Sequence, residues 1–316
     1  MPPAPYVAVV ILHWGAAETT ARCVRSLRDA AWPGRGTVFI IDNTKRLEEG
    51  AVAGAAPLEV EIVRPERNLG FCDGSTLGMS MAMKRGADFV LLLNNDVVVD
   101  PHFLGPLVSA GSQVTDAGLL SPQIMHLGQP EKAWYQGGTF SLWSGIPAQG
   151  HGRRALPLDS PPREVDYATG CATLVHPALL RRVGSFDGRF FAYCEDLDLS
   201  IRARQAGLRV LVVPASIVYH DVTNEAGRAS LRNYYSTRNL IEVMRKHAAW
   251  YYWPSFALNF LPRWLGFFTV LAVMRGQPRS LIALWKGVTD AARNRLGQSP
   301  WIDDTRAERP TRVIRS

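Results

Sequence analysis

The stretch Phe89-Val-Leu-Leu-Leu-Asn-Asn-Asp96 joins a run of five apolar residues directly to three polar ones. A short, continuous apolar run is typical of a β-strand that is buried on both faces of a sheet. Because no spacer separates the two parts, oxygen-bearing side chains emerge where the buried strand ends. The stretch therefore predicts the centre of an α/β sheet, with ligand-binding residues at its carboxyl edge.

Similar apolar runs recur along the first 225 residues, with helical patterns between them. The mostly apolar runs lie at 7–12, 38–41, 60–63 and 210–213. Thr19–Ala30 and Ser75–Arg85 show the spacing of amphipathic or buried helices. Strands that alternate with helices predict an α/β fold with a mostly parallel sheet. Residues 128–165 are rich in Gly, Pro and Trp, and predict irregular loops or a small β insertion.

Polar residues follow three of the predicted strands. Asp42 and Asn43 follow the run 38–41, Asn68–Gly70 follows the run 60–63, and Asn94–Asp96 follows Phe89–Leu93. In a parallel sheet these positions meet at one edge, where a ligand crevice is expected.

Asn94, Asn95 and Asp96 offer oxygen atoms that suit a hard divalent cation. Mg²⁺ and Mn²⁺ often keep substrate phosphates as ligands, so one or two protein oxygens suffice. Alternatively, the three residues form a turn whose side chains satisfy the backbone. His220 follows Ile217-Val-Tyr219 at the end of another predicted strand, and is either a ligand of the same metal or diphosphate or a structural histidine.

Three carboxylates, Glu195, Asp196 and Asp198, begin a predicted amphipathic helix. One of them could act as a general base that removes a proton from an acceptor hydroxyl. The alternative is purely structural, because acidic residues at a helix N-terminus complement the helix dipole.

The composition restricts the class of protein. With 316 residues, 47% hydrophobic and 20% charged, the chain has enough apolar residues for a full core. The four cysteines are scattered and form no CxxC pair, so neither a zinc site nor a disulfide framework is indicated. The first residues show no basic stretch followed by an apolar segment, so we expect no signal peptide and a cytoplasmic catalytic part.

The C-terminal part differs in character, and we place a domain boundary near residue 225. Residues 226–316 hold 15 Lys and Arg against 5 Asp and Glu, and form the predicted C-terminal helical extension to a catalytic domain at 1–225. Residues 248–296 combine aromatic and basic side chains, which favours an interfacial helix on an anionic membrane. Their uncharged stretches, 248–262 and 264–274, are shorter than the roughly 20 residues of a spanning helix. The alternative is packing against the catalytic domain or a second subunit.

These pieces together resemble the family-2 glycosyltransferases, which have the GT-A fold, and in particular the rhamnosyltransferase-like branch that builds cell-surface polysaccharides. The matching stretches are 9–14, 40–43, 68–74, 86–96, 169–172, 184–187, 193–202, His220 and 232–239. Each piece is short, but their order and spacing over residues 6–240 make the resemblance specific.

The resemblance implies a role for each candidate residue. Asp42 would hydrogen-bond the nucleobase, with Asn43, Asn68, Gly70, Asn94 and Asn95 on the donor side. Asp96 and His220 would hold Mg²⁺ or Mn²⁺, and Asp196 would be the catalytic base, with Glu195 and Asp198 orienting it or the acceptor. Arg232 and Arg238 would either reach phosphate or brace their helix.

The resemblance also implies the reaction and the partners. The reaction would be an inverting sugar transfer from a UDP-, dTDP- or GDP-linked donor to a glycan or lipid-linked acceptor. The enzyme would be peripheral on the inner face of the cell membrane. The chain could also form a homo-oligomer.

Two other functions compete with this interpretation. A nucleotidyltransferase would need a Gly-rich, phosphate-gripping loop with Lys or Arg near the first strand, and His13-Trp-Gly-Ala16 lacks it. An inactive nucleotide-sugar-binding protein is disfavoured because Asp96 and Asp196 are both present. Nucleic-acid binding is not expected, since no recognised module accompanies the basic tail.

Overall fold

A central β-sheet organises the structure, a computed structural model that describes residues 4–32, 34–52, 58–150, 152–223 and 228–301. The strands are β1 (Tyr6–His13), β2 (Arg35–Asp42), β3 (Glu59–Val63), β4 (Phe89–Asn94), β5 (Val97–Val99), β6 (Ala117–His126), β7 (Gln129–Tyr135), β8 (Gly138–Thr139), β9 (Ala148–Gln149), β10 (Arg163–Glu164), β11 (Ala172–Val175) and β12 (Arg209–His220). The helices are α1 (Ala17–Arg28), α2 (Gly70–Lys84), α3 (Leu104–Gln113), α4 (Pro177–Val183), α5 (Glu195–Gln205), α6 (Ala229–His247), α7 (Trp253–Asn259), α8 (Phe267–Met274) and α9 (Pro278–Ala292).

The main sheet has the strand order β10-β12-β6-β11-β4-β1-β2-β3 in the described part of the chain. The pairs β1–β2, β1–β4, β2–β3 and β6–β12 are parallel, while β11 runs antiparallel to both β4 and β6. The prediction of a mostly parallel α/β sheet is therefore confirmed. Strand β5 pairs with the end of β12, and β7 pairs with β6.

The register brings the carboxyl ends of the central strands to one edge. His13 at the end of β1 pairs with Asp42 in β2, and Leu12 pairs with Asn94 in β4. The side chains of β4 from Phe89 to Leu93 are all buried, as a strand covered on both faces requires. The polar residues after β2, β3 and β4 consequently face one region of the structure.

Helix α2 and strand β12 differ most from the predicted elements. Helix α2 begins at Gly70 rather than Ser75, because Gly70 adopts a φ of 66° and turns the chain into the helix. Strand β12 runs from Arg209 to His220 as one element, although the sequence predicts two strands. A shift in register between Val213 and Ile217 separates its two halves. The predicted insertion at 128–165 contains the short strands β7 to β10.

The C-terminal helices α6 and α9 pack closely against each other. Helix α6 buries Arg238, Asn239 and Leu240, and a side chain at Gly287 in α9 would come within 2.7 Å of the Tyr234 carbonyl oxygen in α6. The domain boundary near residue 225 stays a prediction.

Trp250–Met274 forms one helical stretch of 25 residues with a mean hydropathy of 1.5. Its middle, Phe260–Gly266, is a π-helix that contains Pro262. By length and composition the stretch is able to cross a membrane, since the helix continues through Arg263, where the uncharged stretch of the sequence is interrupted. Only 22% of its most apolar window is buried in the structure.

Candidate active site

A cavity of about 460 Å³ opens at the carboxyl edge of the sheet. Most of the site residues predicted from the sequence line it, namely Asn43, Asn68, Gly70, Asn94, Asn95, Asp96, Glu195, Asp196 and His220. Residues from distant parts of the sequence thus meet around one space of a size usual for small-molecule sites.

Asp96 and His220 lie next to each other in the lining of the cavity. Strand β5 pairs antiparallel with the end of β12, which sets His220 opposite Val97. His220 Nε2 lies 3.2 Å from Asp96 Oδ1, and Arg228 Nη1 lies 3.5 Å from Asp96 Oδ2. Burial alone raises the pKa of Asp96, but His220 and Arg228 outweigh it and hold the pKa below its usual value. Asp96 is therefore an anion near neutral pH.

The donor set at Asp96 and His220 fits a cation that keeps most of its ligands from substrate. Nδ1 of His220 is buried and has no hydrogen-bond partner among the described residues. Those residues contain no group of three or more His, Cys, Asp or Glu side chains arranged to hold a metal ion. One carboxylate and one imidazole are a sparse set, which suits Mg²⁺ or Mn²⁺ bound together with a diphosphate.

Glu195 and Asp196 are the first residues of α5 and form a second acidic pair in the cavity. Burial raises the pKa of both carboxyls, and the charge of Asp196 raises that of Glu195 further. Asp196 accepts hydrogen bonds from the backbone N–H groups of Gly170 at 3.0 Å and Leu197 at 2.8 Å. Oε2 of Glu195 is buried with no hydrogen-bond partner in the described part of the chain. Because Asp196 accepts from the N–H groups of Gly170 and Leu197, while burial and the charge of Asp196 raise the pKa of Glu195, we assign the proton to Glu195 and the charge to Asp196.

The asparagines on the other side of the cavity shape the backbone. Asn43 donates to the Gly70 carbonyl oxygen and accepts from Leu69 N, both at 3.1 Å, while Asn68 Oδ1 accepts from Gly70 N at 2.8 Å. At Gly70 a Cβ atom would lie 2.6 Å from Phe191, so this close approach requires glycine.

Asn95 lines the cavity, but its side-chain amide is hydrogen-bonded to neighbouring protein groups. Its Nδ2 donates to the Trp14 carbonyl oxygen at 2.9 Å and to Thr20 Oγ1 at 3.0 Å. It therefore fixes the β4–β5 turn that presents Asp96.

Two predicted residues, Asp42 and Asp198, are not among the residues that line the cavity, and their roles stay predictions. The carboxylate of Asp42 is fully buried and accepts from the backbone N–H groups of Thr44, Lys45 and Leu47 at 2.9 to 3.0 Å. The carboxylate oxygens of Asp42 are thus turned into the loop after β2.

Asp198 is also fully buried, on the side of α5 that faces away from the cavity lining. Its carboxylate contacts Arg202 at 2.8 Å, Lys246 at 2.9 Å and His247 at 2.8 Å. The contacts with Lys246 and His247 tie α5 to α6, so Asp198 fixes the helix that begins with Glu195 and Asp196.

Several lining residues have no signal in the sequence. Arg228 contacts Asp96, Trp134 packs its ring edge-on against His220 with centroids 4.5 Å apart, and Trp264 borders the cavity from the π-helical segment. Arg232 lines the cavity, whereas Arg238 is buried and braces its surroundings. Apart from its place among the aromatic residues of the tail, nothing about Trp264 in the sequence marks it.

The family model described as glycosyltransferase-like family 2 matches residues 2–252. The chain belongs to this family. Among characterised relatives it is similar to the N-acetylglucosaminyl-diphospho-decaprenol L-rhamnosyltransferase of Mycobacterium tuberculosis, with 29% identity over 183 residues. That match covers 53% of this chain and 58% of the relative, so the chain matches little more than half of the relative's length.

Two solved structures that superpose on this chain contain a nucleotide or a nucleotide sugar together with Mn²⁺. GalNAc-T7 with UDP, GalNAc and Mn²⁺ superposes on 81% of this family-2 chain and 50% of its own, with a TM-score of 0.59 at 16% identity. The mannosyltransferase PcManGT of Pyrobaculum calidifontis, in complex with GDP-Man and Mn²⁺, superposes on 95% of this chain and 78% of its own, with a TM-score of 0.52 at 14% identity. At such identities the likeness concerns the fold, and it confirms the predicted GT-A architecture.

Proposed function

We propose that the protein is an inverting glycosyltransferase that moves a sugar from a nucleoside-diphosphate donor to a hydroxyl of a glycan or lipid-linked acceptor. The observation that carries the proposal is the single cavity shared by an ionised Asp96 and the Glu195–Asp196 pair. One group suits the diphosphate end of a donor, and the other suits the acceptor hydroxyl.

Asp196 acts as the general base in this mechanism. Its raised pKa makes it a stronger base than a solvated aspartate, while its two backbone N–H donors keep it ionised in preference to Glu195. It takes the proton of the acceptor hydroxyl as the oxygen attacks the anomeric carbon. A single displacement inverts that centre, and no carboxylate nucleophile is needed, unlike in a retaining glycosidase.

Asp96 and His220 would hold Mg²⁺ or Mn²⁺ together with the donor diphosphate. A divalent cation there supplies charge stabilisation to the leaving nucleoside diphosphate. Arg228 and Arg232 add positive charge to the same cavity, and Gly70 leaves space for close approach of the donor to the backbone.

The name of a relative and the tail of this chain support the proposed acceptor class. The M. tuberculosis relative is named for a diphospho-decaprenol acceptor, which supports a lipid-linked acceptor and a place in cell-surface polysaccharide synthesis. The nucleobase of the proposed donor is uracil, thymine or guanine. The carboxylate of Asp42, predicted to contact it, faces the loop after β2.

A donor screen tests the proposed function. We expect one UDP-, dTDP- or GDP-linked sugar to raise the melting temperature only with Mg²⁺ or Mn²⁺, and to be slowly hydrolysed or transferred. The free nucleoside serves as the control, because it lacks the diphosphate. Binding without any turnover would support an inactive binding protein, and release of pyrophosphate from a nucleoside triphosphate would support a nucleotidyltransferase.

We also propose that Trp250–Met274 holds the protein peripherally on the anionic inner face of the cell membrane. Large apolar side chains on this helix and next to it are exposed to solvent. They are Trp250, Tyr251, Leu258, Leu261, Phe267, Val270, Val273 and Met274. The cations Arg263, Arg275 and Arg279 are exposed beside them, and each contributes on the order of 1 kcal/mol near anionic lipid. Trp264 of the same helix lines the cavity, so this placement brings the active site close to a lipid-linked acceptor.

Glutamate substitutions on this face test the membrane contact without removing a helix. A variant with Leu258→Glu, Val270→Glu and Met274→Glu is expected to lose flotation with anionic vesicles. The matched control has glutamate at the exposed residues Ala155, Pro157 and Leu158, and is expected to float like the wild type. Equal flotation of both variants would contradict the proposal, and resistance of the wild type to high salt and carbonate would indicate a spanning helix instead.

A further inference from the structure

The turn that precedes the base is unusually shaped. Five non-glycine residues in the described part of the chain have a positive φ, and three of them, Phe191, Tyr193 and Cys194, lie in this one turn with φ of 65° to 67°. Each such residue costs on the order of 1 kcal/mol or more, so the surroundings must hold the turn in place. Because Glu195 and Asp196 follow immediately, the shape of the turn sets where both carboxylates point.

Asn239 of α6 makes the contacts that hold this turn. Its side chain is fully buried, and its Nδ2 group donates to the carbonyl oxygens of Phe190, Ala192 and Tyr193 at 3.0, 2.8 and 2.7 Å. The NH₂ group has two N–H bonds for three carbonyl oxygens of one turn, so at least one N–H is shared between two acceptors. The contact reaches across more than 40 positions in the sequence.

Arg238 fixes the orientation of that amide. Its Nε donates to Asn239 Oδ1 at 2.9 Å, and because a guanidinium only donates, the Nδ2 group must face the turn. A second guanidinium nitrogen donates to the Phe190 carbonyl oxygen at 2.9 Å. Arg238 itself is 1% exposed and lies over the rings of Tyr234 and Tyr235.

The same turn also contacts the donor side of the cavity. The Phe191 carbonyl oxygen accepts from the first free N–H groups of α2, those of Phe71 at 2.8 Å and Cys72 at 3.1 Å. The Phe191 ring packs against Gly70 and is stacked on Tyr235 with centroids 5.3 Å apart. A change in the turn therefore moves the loop before α2 as well as the base.

We infer that Asn239 is a positioning residue whose amide holds the 190–194 turn, and thereby sets the base Asp196 and the donor loop at Gly70 relative to each other. The role rests on the proposed glycosyl transfer. Asn239 touches neither reactant in this assignment, and its effect is exerted through the turn.

The variant Asn239→Asp tests this role, because it keeps the shape of the side chain but replaces the donating NH₂ group by a carboxylate oxygen. We expect kcat to fall by roughly 10- to 100-fold, as small misplacements of reacting groups do. Amide hydrogen exchange in the segment 188–199 is expected to become faster. Arg238→Lys keeps the positive charge but loses the two guanidinium donors that contact Asn239 and Phe190. It is expected to show a smaller fall in kcat and a smaller increase in exchange than Asn239→Asp.

Leu240→Ala is the matched control, since Leu240 is the next residue of α6, is fully buried and makes no bond to the turn. It is expected to lower the melting temperature but to leave kcat within about twofold and the exchange of 188–199 unchanged. Identical behaviour of Asn239→Asp and Leu240→Ala in both measurements would overturn the inference. If the wild type transfers no sugar from any donor, the proposed function fails, and the exchange measurement alone decides whether Asn239 holds the turn.

Discussion

Replacing Asp196 by Asn is expected to reduce sugar transfer by roughly two to four orders of magnitude, because the variant cannot accept the acceptor proton. Donor binding should change little, since the amide keeps the size of the carboxyl and the diphosphate end of the cavity is untouched. The measurement is kcat for transfer together with calorimetric binding of the nucleoside diphosphate. Transfer near the wild-type rate would refute the assignment of the base.

The pH profile gives the same prediction a second readout. A general base must be ionised, and burial raises the pKa of Asp196, so the acid limb of kcat/KM should lie at higher pH than for a solvated aspartate. Activity is then present above the raised pKa and lost as the pH falls through it. The limb should disappear in Asp196→Asn, whereas Asp159→Asn, a change at an exposed loop residue, should leave both the rate and the limb unchanged.

Replacing Asp96 by Ala is expected to weaken the binding of the nucleoside diphosphate and to lower transfer by about two orders of magnitude or more, since a bound cation contributes several kcal/mol of charge stabilisation. The wild type treated with a chelator should behave like the variant. Calorimetry with the nucleoside diphosphate, with and without Mg²⁺ or Mn²⁺, measures the effect.

The free nucleoside is the internal control for Asp96→Ala, because a ligand without phosphates does not depend on the cation. Its affinity should be equal in the wild type and the variant. Equal affinity of the wild type for the nucleoside diphosphate with and without the metal ions would remove the metal from the proposed mechanism.

Much of the site was predictable because it follows local rules. Asn94–Asp96 ends a strand that is apolar along its whole length, and the side chains after parallel strands meet at one edge. Glu195 and Asp196 start a helix whose pattern is visible in the sequence. These predictions needed only the hydrophobic period and the position of polar residues relative to it.

The direction of individual side chains was not predictable in the same way. Asp42 and Asp96 both follow central strands, yet the backbone N–H groups of the loop after β2 occupy Asp42, while Asp96 faces the cavity. Asp196 and Asp198 are two positions apart on one helix, and only Asp196 lines the cavity. The direction of each side chain depends on the backbone geometry of its turn and on the hydrogen-bond partners that neighbouring elements offer.

The α/β class, the edge of the sheet where a ligand crevice is expected and the candidate carboxylates can be inferred from the sequence, since these depend on periodicity and on residue type at strand ends. The folded structure adds that His220 contacts Asp96 directly and that Asn239 and Arg238 contact the turn before Glu195. The physical reason is that a hydrogen bond forms over about 3 Å between atoms whose residues are far apart in the chain, and no local pattern encodes that separation.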